Sequence, residues 1–595
     1  MNDPTFCYQN SLPHLPLPKL EDTIDKYLKS LSAIIPKKEL DSISTSAKVF
    51  ANSQDGHKVQ RFLELKSRSS KNWLEDLWYD AYTSNRESLL TQNMGGIIPK
   101  SCFQNASQIG TASQIIFHLM QYWILIRQEK IEVTKSRGTN WDMHQTYNLF
   151  NSCRVPAIPK DKIERYFCLE SEGECPSHVI VLCNGHIWKL DPIEKGNLLC
   201  IRKIQEALKS IKENSKKTVE NSIVKLTSLR RDNWTKIREA LIENNSLNSA
   251  MFKIIESAVF CLTLSDDLVE SESELMKYSI FGSPSNTYCD KNLNIHVLKD
   301  GKTCLHAEHG NVDAISLFAP CDFAADNFRD DLNLTDEIPR HEIAALEKIE
   351  FLYTGSISTI ISEAERSFYA LNSKVNVNVY HYTHFGATYC KQRNLYADTI
   401  IQISLQMAYM KTHNKLAPTY ETASTRKFYH GRTETVRSLT PDLVKYLSAC
   451  ENSSTIANLK VLFFDAYNSH NTLMDAARDG RGIDRHLLGL RLAQKALNAY
   501  GESVEIPFLD HPSFSTSGGN GNFLLSTSFL GYTENGCFGY VIPMCKSGYG
   551  CFYRINKTSF TFTLTNYYDE ATNGDDFREN LEYSLDFIKN VILTD

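Results

Sequence analysis

Apolar side chains recur along the chain with two periods, about 3.6 residues and two residues, and the switching between them predicts a mixed α/β protein. Near the amino terminus Leu20, Ile24, Tyr27, Leu28 and Leu31 share one helical face, Glu21 and Asp22 stand in its first turn, and Pro36 lies beyond its end. That spacing predicts an amphipathic helix. From about residue 72 to 165 the pattern reads mainly helical. It then changes to two apolar runs, residues 178–183 and 186–190, separated by Asn184-Gly185. Asn-Gly between such runs predicts a hairpin, because both turn residues must take positive φ. Charged helical sequence follows over residues 199–247, with the Lys/Glu-rich run SIKENSKKTVEN as a solvated stretch.

A second hairpin is predicted where residues 293–298 alternate, turn at Asp300-Gly301 and return as residues 302–307, so that Glu308 and His309 emerge at a strand's end. Residues 375–382 form a clean period-two strand, followed by a basic loop and a helix over residues 400–410. The last hundred residues alternate strand and turn, with strands expected at 522–529, 539–542, 551–555 and 559–565. A final helix carries Phe577, Leu581, Leu585, Ile588 and Ile592 on one face. No glycine-rich βα turn marks a dinucleotide fold, and there is no internal repeat. The pattern therefore predicts two α/β domains, residues 1–353 and 354–595.

The length of 595 residues fits that division, since one core serves roughly 100–200 residues. With 64 Lys+Arg against 70 Asp+Glu the net charge is −6, which argues against nucleic-acid binding and for a small ligand held by local cations. The 16 cysteines contain no CxxC pair and no cleavable apolar leader opens the chain, so disulfides are not expected. The longest apolar stretch, residues 115–126, falls short of the ~20 residues a membrane span needs.

Four segments carry candidate chemistry. In His306-Ala-Glu-His309-Gly-Asn-Val-Asp313 an acid stands four residues after a histidine. The ring's Nδ1 could donate to that acid and leave Nε2 as a base. The residues alone leave three readings for His309: a structural histidine, a general base, or a metal ligand with His306 or Glu308. Metal is disfavoured because no HExxH or Cys/His cluster supplies a third ligand. The second segment spans residues 385–398, where Lys391 and Arg393 precede a helix in a way that suits a phosphate or a solvated loop. Residues 420–437 form the third, with Arg426, Lys427, Arg432 and Arg437 among hydroxyl side chains. In the fourth, glycines at 518–521 precede Ser526-Thr-Ser528, whose hydroxyls could donate to an oxyanion or merely satisfy a strand edge.

Further motifs bind these segments together: Leu12-Pro-His-Leu-Pro-Leu-Pro, Asn72-Trp-Leu-Glu, Asn151-Ser-Cys-Arg-Val-Pro156, Leu226-Thr-Ser-Leu-Arg-Arg-Asp-Asn-Trp234 and Asp484-Arg-His-Leu-Leu-Gly489. In that order, over nearly the whole chain, they resemble the carnitine/choline acyltransferase family, and most of all its octanoyl-transferring members. The resemblance implies a two-domain CoA-dependent acyltransferase fold with mixed sheets, flanking helices and a tunnel along the domain interface. It implies reversible acyl exchange between acyl-CoA and L-carnitine, with CoA as co-substrate and no permanently bound cofactor. By the same likeness His309 is the base, Asp313 fixes its ring and Ser528 stabilises the oxyanion. Tyr420, Thr422, Thr433 and Arg485 match carnitine-binding positions, with an arginine at 485 where choline-specific members carry asparagine. Lys391, Gln392, Arg393, Asn394, Leu395, Tyr396, Ala397 and Asp398 match the CoA segment.

The likeness also bears on chain length and setting. Gly536 aligns with a methionine that narrows the acyl pocket of short-chain members, so a medium chain, octanoyl first, is expected here. Ala387 and Thr388 replace lysines beside the CoA phosphates, and Tyr288 replaces a tryptophan. The alternatives are an acetyl-preferring enzyme and a non-catalytic acyl-CoA or acylcarnitine sensor. The family implies a monomer serving fatty-acid metabolism and acyl shuttling. Its octanoyl-transferring members are peroxisomal, although the terminal Leu593-Thr-Asp595 is not an address for that organelle, which otherwise leaves the cytoplasm.

Overall fold

Asn184 and Gly185 take φ values of 49° and 80° and fold Val179–Cys183 back onto His186–Asp191. Gly301, at φ 79°, does the same between Asn294–Val297 and Thr303–Ala307. The computed structural model describes residues 3–99, 107–328, 343–353, 357–452, 454–532, 536–568 and 571–594. Among them, two mixed sheets dominate. The first has eight strands in the order Ala345–Ile349, His186–Asp191, Val179–Cys183, Cys261–Leu264, Asn294–Val297, Thr303–Ala307, Met94–Ile98 and Phe538–Gly539. The second has six: Val375–Tyr382, Phe560–Tyr567, Tyr549–Ile555, Leu525–Tyr532, Thr419–Ser424 and Thr433–Val436.

Several expectations need correcting. The region from residue 72 to 165 is not mainly helical: it contains the strand Met94–Ile98 and the short antiparallel pair Ser152–Val155 and Lys162–Arg165. The Gly95-Gly96 pair looks like a breaker in sequence but permits close approach, since a Cβ on Gly95 would lie 2.1 Å from the Leu305 carbonyl oxygen. The strand expected at 539–542 shrinks to Phe538–Gly539. The apolar stretch at 115–126 belongs to a 20-residue helix, Gln108–Arg127, which is long and apolar enough to span a membrane. However, 67% of its apolar window is buried inside the protein, where it packs on the helices Ile201–Asn214 and Ala314–Asp326. The final helix, Gly574–Phe587 and its continuation Ile588–Ile592, buries Phe577, Leu581, Leu585, Ile588 and Ile592 as its spacing predicts.

The proposed division at 353/354 falls beside residues outside the description, and packing does not respect it. Helices Leu20–Leu31, Lys37–Ala51 and Gln54–Ser69 share a core with helix Asp484–Ala499 and Phe508 and Phe514 of the second half. Conversely, Phe538 and Phe552 join the first sheet's core. The register of the second sheet explains how the halves meet. Paired residues share a face, so Tyr420, Thr422, Ser526, Ser528 and Phe552 lie on the side facing the first core. Glu421, Thr527, Cys551 and Tyr553 lie on the other, toward the helices Ala397–His413 and Ile456–Arg478. A row of hydroxyls therefore stands at the junction of the two sheets.

Candidate active site

His309 lies just beyond the end of the strand Thr303–Ala307, in the six-residue loop before the helix Ala314–Asp326. Arg432, in the turn preceding Thr433–Val436, grips this loop from the other half of the chain. Its Nη1 donates to the Gly310 carbonyl at 2.6 Å, and its Nη2 to those of His309 and Val312 at 3.0 and 3.3 Å. Nε and Nη2 also hold the Asp313 carboxylate at 2.9 and 3.0 Å, and Gln145 Nε2 donates to the same group at 2.8 Å. Burial pushes Asp313 toward its neutral form, but the Arg432 charge and hydrogen bonds outweigh it and hold the carboxyl below the usual carboxylate range.

The expected Asp313 to His309 hydrogen bond is therefore replaced. His309 Nδ1 lies 2.8 Å from the Val312 carbonyl oxygen, to which it donates as the N–H tautomer, leaving Nε2 with the lone pair. Asp313 acts on His309 through its charge alone. The ring keeps partial solvent access, yet the protein mass around it pushes its pKa below the ordinary histidine value, with Asp313 raising and Arg432 lowering it in turn. Neutral His309 is thus the resting form at physiological pH. The edge of Tyr82 meets its ring at a centroid distance of 5.9 Å.

Beyond Tyr82 stands Arg485. Its Nη2 donates to Tyr420 Oη at 2.7 Å and Thr433 Oγ1 at 3.0 Å, and its Nε to the Thr433 carbonyl at 2.9 Å. The guanidinium lies 4.5 Å from the Trp78 ring centroid. Its Nη1 has no hydrogen-bond partner among the described residues and is free for a ligand carboxylate. Burial pushes the nearby Glu434 carboxyl up to about 7. The Thr422 hydroxyl donates to the Thr527 carbonyl at 3.3 Å, whereas the Ser528 hydroxyl makes no bond among the described residues.

A model of the choline/carnitine O-acyltransferase family matches residues 15–583. The chain belongs to that family. It is 34% identical to peroxisomal carnitine O-octanoyltransferase from Bos taurus over 94% of this chain and 93% of that protein. It is 28% identical to carnitine O-acetyltransferase from Homo sapiens, over 97% and 93%, and 27% identical to mitochondrial carnitine O-palmitoyltransferase 2 from Bos taurus, over 98% and 92%. Membership fixes the fold as that of a CoA-dependent acyltransferase with two mixed sheets flanked by helices.

The segment compared with the family's CoA site is less open than its sequence suggests. Lys391, Gln392 and Asn394 are exposed, and Leu395 packs against the second core. Arg393 is already engaged: its guanidinium lies 3.8 Å from the Tyr389 ring centroid and its Nε donates to the Leu593 carbonyl. Tyr396, half-exposed, caps the helix Ala397–His413, and Ala397 is buried behind it. Asp398 turns inward and accepts from Tyr553 Oη at 2.6 Å. The amides of Ala387 and Thr388 dock on the carbonyls of Asn556 and Lys557 at 2.9 Å each. Gly536 has a polar setting in place of the expected apolar one: a Cβ there would lie 3.4 Å from the Asp322 carboxylate, and its carbonyl accepts from Arg554.

Three of the quoted motifs, those of Arg154, Arg231 and Glu308, meet in one buried charge network behind the His309 loop, a juxtaposition their sequence does not reveal. Glu308 Oε1 accepts from Arg154 Nη1 at 3.3 Å and from the Gly310 amide at 2.9 Å. Arg154 and Arg231 both donate through Nε to Asp161 Oδ2, at 2.8 and 2.7 Å, and Arg86 reaches Asp161 Oδ1 at 2.9 Å. Arg231 continues to Asp290 at 2.5 Å, which also accepts from Trp234 Nε1 at 2.7 Å. The available signal was a set of arginines inside apolar motifs, since a buried guanidinium demands an anion. Asp161→Asn removes the charge that three guanidiniums share and is expected to destabilise the protein by about 3–5 kcal/mol in urea unfolding. Unchanged stability would show that the network is not held by charge.

Proposed function

We propose that the protein transfers a medium-chain acyl group, octanoyl first, reversibly between CoA and L-carnitine. The observation that carries this reading is that the stacked rings of Tyr82 and Trp78 link a neutral histidine having one free nitrogen to a guanidinium having one free edge. Arg485, Tyr420, Thr433 and Thr422 would hold carnitine, its carboxylate on Arg485 Nη1. CoA would enter from the opposite side along residues 391–398, with Lys391 as its free cation. His309 Nε2 takes the proton from carnitine's hydroxyl, and the alkoxide attacks the thioester carbonyl directly. The Ser528 hydroxyl donates to the oxyanion of the tetrahedral intermediate. Collapse expels the thiolate, which takes the proton back from His309, so no acyl-enzyme forms. The medium-chain preference rests on the octanoyl-transferring relatives, and each methylene buried in the acyl pocket would add about 0.8 kcal/mol.

Incubation of the purified protein with acetyl-, octanoyl- or palmitoyl-CoA, carnitine and a thiol reagent tests the reading. Octanoyl-CoA is expected to give the highest kcat/KM, His309→Ala to lower kcat by about 10²-fold to 10⁴-fold or more, and the acid limb to fall below the ordinary histidine value of about 6.5. The sign follows because a depressed pKa keeps the base neutral to lower pH. No CoA release with any chain would leave the sensor reading, and a tenfold preference for acetyl-CoA would remove the medium-chain assignment.

Arg485→Asn is expected to raise the carnitine KM by about 10-fold to 100-fold, the loss of a charge-assisted bond worth about 1.5–3 kcal/mol, and to relax discrimination against choline. An unaltered carnitine KM would put the carboxylate elsewhere. Peroxisomal residence is proposed from the relatives' names, and fluorescence imaging with a free carboxyl terminus would refute it by showing a diffuse cytoplasmic signal.

A further inference from the structure

A cavity lined by Leu15, Pro16, Trp78, Arg432 and Arg485 also carries three donor side chains that acyl transfer leaves unused. Glu75 stands in the first turn of Glu75–Thr83, His144 opens the short helix His144–Tyr147, and His430 occupies the turn before Thr433–Val436 with φ 50°. One ligand atom from each lies within 4.8 Å of the other two. His430 Nδ1 is 2.8 Å from Glu75 Oε1, and its ring is sandwiched between His144 at 3.7 Å and Tyr429 at 3.8 Å. The His144 ring nitrogens have no hydrogen-bond partner among the described residues.

Two imidazoles and a carboxylate from three separate elements form a donor set suited to divalent first-row ions. Tetrahedral bonds of 2.0–2.1 Å would set the donor atoms about 3.3 Å apart, so no gap need close by more than about 1.5 Å. Closing it would cost the His144 ring its stack on His430 but no hydrogen bond among the described residues. Of the cations facing the site, Arg432 is paired with Asp313 and Arg165 bonds Asn311, while Asp142 accepts the His430 amide at 2.7 Å. We propose that Glu75, His144 and His430 bind a zinc-class divalent cation with one coordination position open to the cavity. Resting on the carnitine reading above, the bound ion would stand in that substrate's path.

The full-length protein, stripped with chelator and titrated with Co²⁺, tests the site by its visible d–d bands and by calorimetry. One equivalent is expected to bind without thiolate charge-transfer bands, and affinity is expected to fall at least 100-fold in both His144→Ala and Glu75→Gln, with circular dichroism confirming that each variant is folded. Absence of binding, thiolate bands, or equal affinity in folded variants would overturn the site. In the wild type Zn²⁺ is expected to raise the carnitine KM, an effect lost in His144→Ala. Zinc binding with no rise would overturn the claim that the ion obstructs the substrate. The cobalt spectrum needs no turnover, so an inactive protein would refute the acyltransfer reading without touching the metal site.

Discussion

The position of His309 depends on one buried cation. Arg432 lies on a hairpin of the second sheet, yet all the hydrogen bonds made by its guanidinium go to a loop carried by the first: three backbone carbonyls and both oxygens of Asp313. Desolvating a guanidinium costs several kcal/mol unless its donors are fully engaged, and here the engagement is bidentate toward a carboxylate and complete toward the loop backbone. The arginine thus resists leaving the loop. Docking of the two halves and shaping of the His309 loop are thereby coupled, since among the described residues each is the other's only salt-bridge partner. Glu308 works from the opposite side, fixing the Gly310 amide and anchoring the loop to the Arg154, Asp161, Arg231 and Asp290 chain.

Glycine has a specific place in that arrangement. A Cβ on Gly310 would lie 2.9 Å from the Glu308 carboxylate, closer than side chains approach one another. The loop is therefore pinned by charge on two sides and can be so only because the residue between them has no side chain. A similar argument explains Gly95 and Gly96, which let the strand Met94–Ile98 run between Thr303–Ala307 and Phe538–Gly539, so that the second half contributes a strand to the first sheet. Close backbone approach, rather than flexibility, is what both positions require.

What could be read from the sequence was what is local. The hairpins at Asn184-Gly185 and Asp300-Gly301 declare themselves in two residues, and the closing helix in five apolar positions. The His309 base was one of three readings of its own residues, and only the resemblance selected it. The partner of Asp313 was illegible for a physical reason: a spacing of four suggests a helical contact, whereas the helix begins only after Asp313, whose side chain is then free to meet an arginine 119 residues on. The two-way exchange of helices and strands between the halves was equally hidden, because it depends on which apolar faces meet, and amphipathic patterns do not specify their partners. Arg393 shows the converse, a cation that reads as available and is occupied by Tyr389 and the terminal backbone.

Replacing an acid by a carbonyl as the partner of Nδ1 has a chemical consequence for the proposed reaction. A carboxylate bonded to the ring would stabilise imidazolium, strengthening the base but weakening the acid it becomes. Burial holds the pKa of His309 below the histidine norm, because the Val312 carbonyl selects the tautomer without adding a full charge and the Asp313 charge that raises it is opposed by Arg432. The group must return its proton to a leaving alkyl thiolate, for which the cysteine thiol, with a pKa of about 8.5, is the reference. Against a histidine below about 6.5 that transfer is favourable by at least about 2.7 kcal/mol. The same difference opposes removal of a proton from the CoA thiol in the reverse direction. A loop built around Arg432 thus sets the histidine as a modest base and a competent acid, and the substrates' own chemistry, rather than a strong base, must supply the remaining drive for attack.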